Sequence, residues 1–259
     1  MPLIDRRLLL TGLAAMPLAG AAPAAATVSA DRLAKLVASY PDHLAAVVDD
    51  ILVWRDGTRM TIGSDRPARA FEDMVRSATI ADQLRQTYQP GPPQDRPARD
   101  ESPGRLRNTA FFVKMYGDCA KGGVTRLMRP VAWMPKTASQ TIQLTNVNDV
   151  AARMERVIDL LDRLPDRLKA FLVPSAGTYN CRVVADTGVP SMHAYGAAID
   201  IHVGQSDYWA WASRRGEIAY RNRIPFEIVA IFEAEGFIWG GKWYHFDTMH
   251  FEYRPEMFG

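Results

Sequence analysis

Three things are scarce in this 259-residue chain, and each scarcity excludes a class of protein. No apolar run reaches the ~20 residues of a bilayer span: the longest, Leu8 to Ala22, is about 15 long and is interrupted by Thr11, Gly12 and Pro17. Charge of one sign is also lacking. The balance of 31 Lys and Arg against 29 Asp and Glu leaves a formal +2, too little to neutralise a row of phosphates, so nucleic acid is set aside as a partner. Cysteine is limited to Cys119 and Cys181 without a CxxC spacing, and no HExxH occurs, which removes the cysteine-rich zinc modules and the helical zinc-protease signature. No internal repeat is evident. What remains is a globular composition, 47% hydrophobic and 23% charged, long enough for one large domain or two small ones.

Residues 1–26 read as an export signal. Arg6 and Arg7 precede the apolar run, and Ala22-Pro23-Ala24-Ala25-Ala26 supplies small residues for cleavage. The adjacent arginines before Leu8-Leu9-Leu10 resemble the twin-arginine signal, with the general secretory route as the alternative. The expectation is a periplasmic or otherwise exported protein with no membrane span in its mature chain. In an oxidising compartment a lone cysteine pair tends to join, so Cys119 and Cys181 are expected to form a disulfide, two free thiols being the alternative.

Hydrophobic spacing predicts a helix or helix pair over 31–48, broken at Tyr40-Pro41, and a hairpin over 51–62 around Asp56-Gly57. Helix is expected within 67–87. Gln89 to Gly104, rich in Pro, Gly, Asp and Arg, reads as a long surface loop. Strands are expected at 110–113, 131–134 and 141–144, and helices from Asn148-Asp149 to a close at Leu164-Pro165 and over 225–235. The division is 1–26 signal, 27–107 an added N-terminal helical and hairpin segment, and 108–259 the domain that carries the chemistry.

That chemistry concentrates in two clusters. In Ser191-Met192-His193-Ala194-Tyr195-Gly196-Ala197-Ala198-Ile199-Asp200-Ile201-His202 the second half alternates, which puts Ala198, Asp200 and His202 on one strand face while Gly196 provides a bend that brings His193 back towards Asp200. In Asp247-Thr248-Met249-His250-Phe251-Glu252-Tyr253 the alternation puts Thr248, His250 and Glu252 on one face, with Asp247 at the strand entrance. Two neutral imidazoles and a carboxylate form a three-donor zinc set whose fourth position is left to water. Such a site needs a nearby base, for which Asp247 is the candidate. A plain hydrogen-bonded His and Asp pair is the alternative.

Taken together, Ser191-x-His193-x-x-Gly196-x-Ala198-x-Asp200 and Asp247-x-x-His250-Phe-Glu252 resemble the paired motifs of the zinc D-alanyl-D-alanine carboxypeptidase and dipeptidase family, which also contains L-alanyl-D-glutamate endopeptidases. The resemblance covers about residues 171–255. It implies one Zn2+ ion held by His193, Asp200 and His250, with Asp247 as general base on a side chain one methylene shorter than the family's usual glutamate. It further implies that Arg182 stabilises the oxyanion or holds substrate carbonyls and that Ser191 contacts substrate or orients the first ligand. Trp239 and Trp243 are placed as cleft walls, with core packing as the alternative. The expected fold is α+β, helices packed on a small, mostly antiparallel sheet carrying the zinc site. The expected function is hydrolysis of peptidoglycan stem peptides as a D-Ala-D-Ala carboxypeptidase. The alternatives are an L-alanyl-D-glutamate endopeptidase and a non-catalytic zinc-bearing cell-wall binding module, since hedgehog signalling domains share this fold and site.

Overall fold

The computed structural model describes residues 28–64, 69–93, 96–185, 187–214 and 217–259. The expected export signal lies outside them. Among these residues no helix is long and apolar enough to cross a membrane. The fold is α+β: short helices surround small sheets whose paired strands all run antiparallel.

Helix α1 (Ala30–Ser39) starts where the Ser29 side chain accepts from the Arg32 amide. Tyr40-Pro41 ends it as expected, but the chain then forms strand β1 (Leu44–Val48) rather than a second helix. The Ala45-Ala46-Val47-Val48 stretch has too few turns for a helix and pairs with β2 (Ile51–Trp54), which turns at Asp56-Gly57 into β3 (Arg59–Thr61). The helix expected within 67–87 is two short pieces, α2 (Phe71–Arg76) and α3 (Ile80–Gln83), the latter closed by a reciprocal Thr79 and Asp82 capping box.

Another correction concerns 110–113, expected as strand and found within α4 (Thr109–Tyr116). Asn108 caps its first turn by accepting from the Phe111 amide at 2.9 Å, and Phe111, Phe112, Met115 and Tyr116 share one buried face. Packing of that aromatic face overrides a locally β-prone run. Strands β4 (Met128–Trp133) and β5 (Gln140–Thr145) and helix α5 (Val150–Leu161) follow as read, then α6 (Asp166–Lys169).

The sheet that matters chemically holds β6 (Ala198–Asp200), β9 (Phe237–Trp239) and β10 (His250–Tyr253) in the order β6-β10-β9. Between β6 and β9 lie α7 (Trp209–Ala212), the hairpin of β7 (Ser213–Arg214) and β8 (Glu217–Ile218), and α8 (Phe226–Ala234). One hydrophobic cluster runs through the molecule, joining Leu36, Tyr40 and Trp54 to Phe112, Ile158, Phe251 and Met257. The disulfide expected between Cys119 and Cys181 is present, with the Cα atoms 5.7 Å apart.

Candidate active site

Register builds the centre of the site. In the β6 and β10 pairing His250 stands directly opposite Asp200, and directly opposed residues of an antiparallel pair project from the same face. His193 arrives from a single 3-10 turn (Met192–Tyr195) capped by the Ser191 hydroxyl, which accepts from the His193 amide at 3.3 Å. Gly196 then reverses the chain at φ +66°, and a Cβ there would lie 2.4 Å from the Met128 methyl. The left-handed backbone favours glycine there.

Three donor atoms converge as a result. His193 Nε2 lies 3.1 Å from His250 Nδ1 and 3.1 Å from Asp200 Oδ1, and His250 Nδ1 lies 2.9 Å from the same oxygen. The far side of the His193 ring settles its tautomer. His193 Nδ1 faces the Thr178 carbonyl, which can only accept, so that nitrogen carries the proton. His250 faces a carboxylate at each nitrogen, Glu252 Oε2 at Nε2 and Asp200 Oδ1 at Nδ1, both at 2.9 Å. With the His250 proton on Nε2, the two inner nitrogens and the Asp200 oxygen would turn lone pairs to one point, an arrangement that a cation between them stabilises. The set fits a divalent ion of the zinc class, with second partners on both imidazoles in the manner of metal-bound histidines.

Burial is the largest single influence on His250 and pushes it down, but the bonds to Asp200 and Glu252 and their charges raise it to about 10. Burial likewise pushes Asp200 up, and the two imidazoles outweigh it and hold the carboxyl well below its ordinary range.

Asp247 stands at the mouth of the same turn, its carbonyl accepting from the His250 amide at 3.2 Å. Burial, reinforced by the neighbouring Asp200 charge and opposed by His250 and Arg105, pushes its carboxyl up to about 6. Its Oδ1 is buried and has no hydrogen-bond partner among the described residues. A carboxylate oxygen poised near neutrality and free to accept is what a general base requires.

These groups open on a cleft of about 290 Å³ lined among others by Arg105, Arg182, Ser191, Tyr208, Trp243 and Asp247. Arg182 sits on its exposed rim, with its carbonyl accepting from the Ser191 amide at 3.0 Å, so the chain before His193 runs alongside it. Ser191 reaches the cleft while serving as the turn cap. Trp243 is a wall, its Nε1 donating to the Pro103 carbonyl at 2.6 Å and its ring centred 5.7 Å from that of His250. Trp239 is not. It pairs directly with Phe251 and shares its face, opposite to that of His250, so its ring stacks on Phe251 inside the core and its Nε1 donates to the Thr248 carbonyl.

Arg105, Arg107, Tyr208 and Trp211 line the cleft without having been read from the sequence. Arg107 donates to Glu252 Oε2 at 2.5 Å and Arg254 to Glu252 Oε1 at 3.0 Å, so the carboxylate behind His250 is fully paired. Burial pushes Glu252 up most strongly as a single influence, but Arg107, His250 and Arg254 together hold it far below its ordinary range. The end of the Pro-rich stretch is thus no surface loop: Ser102, Pro103 and Gly104 are buried, and a Cβ on Gly104 would meet Ile238 at 2.3 Å. A signal existed in Arg105-Leu106-Arg107, whose alternation puts both arginines on one side and Leu106 against Phe71 and Met74 on the other.

No curated protein and no solved structure matches the chain. Over residues 185–253, the stretch that supplies all three converging donors and Asp247, the chain matches the family model described as D-alanyl-D-alanine carboxypeptidase.

Proposed function

We propose that the protein is an exported zinc-dependent carboxypeptidase that removes the terminal D-alanine from peptidoglycan stem peptides. The observation that carries this reading is the meeting of three donor atoms, from His193, Asp200 and His250, beside the unpartnered Oδ1 of Asp247 in an open cleft. The family match over 185–253 supports the peptide class of substrate.

A bound zinc ion would supply Lewis acidity at the scissile carbonyl and a lowered pKa for the attacking water. Asp247 accepts the proton of that water and returns it to the leaving amine, a double use suited to a carboxyl near pH 6. Arg182 on the rim and Arg105 within the cleft offer guanidinium forks to the tetrahedral oxygen and to the substrate's terminal carboxylate. Trp243 and Tyr208 flank the space in which the peptide lies.

The test is mass spectrometry of defined muropeptides incubated with the protein, with and without a chelator. Chelator-sensitive loss of the terminal D-Ala is the expected result. Release of fragments cut after L-Ala would replace the carboxypeptidase by the endopeptidase, and metal-loaded protein that binds stems uncut would leave a binding module.

A further inference from the structure

Trp211 stands between two openings in the surface. This indole is 61% exposed and forms a wall of the catalytic cleft on one side and of a second groove, of about 660 Å³, on the other. The groove is lined by Arg96, Arg99 and Arg221 together with Tyr244, with Glu217 as a carboxylate on its edge.

Its arginines differ from many others in the chain. Arg69, Arg107, Arg129, Arg156, Arg223 and Arg254 each hold a carboxylate within 3.1 Å. Arg99 and Arg221 hold none among the described residues, nor do Arg105 and Arg182 in the adjoining cleft. Arg96 is fixed by other means: it donates to the Ile218 carbonyl and lies over the Tyr244 ring, 6.0 Å from its centroid. The chain as a whole is almost neutral, so positive charge without carboxylate partners among the described residues, set beside aromatic faces and sharing the Trp211 wall with the cleft, points to an anion supplied from outside. Guanidinium forks and flat rings suit a carboxylate carried on a peptide better than a compact inorganic ion.

We infer that this groove is a distal subsite for a carboxylate that the peptide substrate bears on the amino-terminal side of the bond to be cut, with Trp211 packing against the chain between the two. The inference rests on the peptidase reading given above and adds to it a preference for acidic peptides. The inner arginines then serve the reacting end of the substrate, and the outer ones select what precedes it. Distal charge contributes affinity without touching the reacting atoms, so its loss appears in KM rather than in kcat.

The experiment is calorimetric titration of the zinc-loaded Asp247→Asn protein, which binds without turning over. The probes are a stem pentapeptide with a free D-glutamate carboxyl and the same peptide amidated at that carboxyl. Amidation should weaken binding about fivefold, in keeping with exposed charge pairs. Arg99→Ala with Arg221→Ala should weaken the free-acid peptide to the same degree and leave the amidated one unchanged, so the two losses do not add. Both positions are exposed, and unchanged melting of the double variant checks its fold, with Arg99→Gln and Arg221→Gln as a milder pair. Equal affinity of the two peptides for the parent, an equal loss on both peptides in the variant, or no binding of either would overturn the subsite. Hydrolysis by the unsubstituted protein is measured separately: its absence beside a coupled loss of binding would remove the peptidase and leave the subsite standing.

Discussion

His250 and Asp200 lie side by side because two neighbouring strands pair in register, whereas Arg107 reaches the carboxylate behind His250 from 145 positions away in the chain. The matched region 185–253 owes its donors to motif spacing and strand alternation. The segment before residue 108 has no motif, yet it delivers Arg105 and Arg107 to the cleft and its Tyr40 hydroxyl to Glu256 at 2.6 Å. That bond ends a buried chain from His250 through Glu252, Arg254 and Glu256 to helix α1's last turn. The comparison teaches that first contacts with a metal can be local in sequence while the charges that hold those contacts in orientation are not.

If the division is right, Asp247→Asn should lower kcat by roughly 10²–10⁴ with zinc content unchanged, measured by D-Ala release and by metal analysis of the same sample. Full turnover in that variant would take the base away from the matched region. Next in size, Glu252→Gln should weaken zinc binding by about 10–100-fold in a chelator competition, because the amide no longer fixes the His250 tautomer. Arg107→Lys sharpens the contrast. It keeps the charge but loses the fork on Glu252 and should weaken zinc binding severalfold; an unchanged affinity would reduce the N-terminal segment to a scaffold. Tyr40→Phe, at the far end of the chain of bonds, should cost about 1–2 kcal/mol in thermal unfolding while zinc affinity stays as it is.

The smallest effect is a dependence on pH. In protein stripped of metal, burial raises the Asp247 carboxyl from 3.8 to about 6. A raised carboxyl favours the fold while protonated, so its contribution is complete below about pH 4 and is lost as the pH passes through about 6. Asp247→Asn stays neutral throughout. It should melt with the unsubstituted protein at acid pH and a few degrees above it in mild alkali, and coincident melting curves at both would show that the site is not strained by this charge.

The candidate site was legible in part, for reasons that differ from residue to residue. Alternation around Asp200 and His250 was readable because strand period and motif spacing agree, and Gly196 marked the reversal between the first two donors. Trp239 was misplaced on the cleft wall because its face depends on pairing opposite Phe251, which its own neighbours do not encode. Residues 110–113 were misread as strand because β-prone Phe111 and Phe112 gain more by packing from one face of a helix against Tyr40, Trp54 and Tyr195 than by pairing. The Pro-rich stretch looked like surface because its composition is that of a loop, yet Pro103 and Gly104 carry carbonyls that Trp243 and Arg254 require.

By itself the sequence pointed to His193, Asp200 and His250 as candidate donors and to Asp247 as a candidate base, since imidazoles and carboxylates at strand period converge wherever the two strands meet. It also determined the hairpin at Asp56-Gly57, the helices over 150–161 and 225–235, and the only cysteine pair that could form. The tertiary structure decided what surrounds them: which carboxylates flank His250, which arginines line the cleft, and which hold no carboxylate among the described residues beyond Trp211. Those outcomes depend on electrostatic and packing contacts between segments far apart in the chain, where strand and helix period carry no information about which side chains meet.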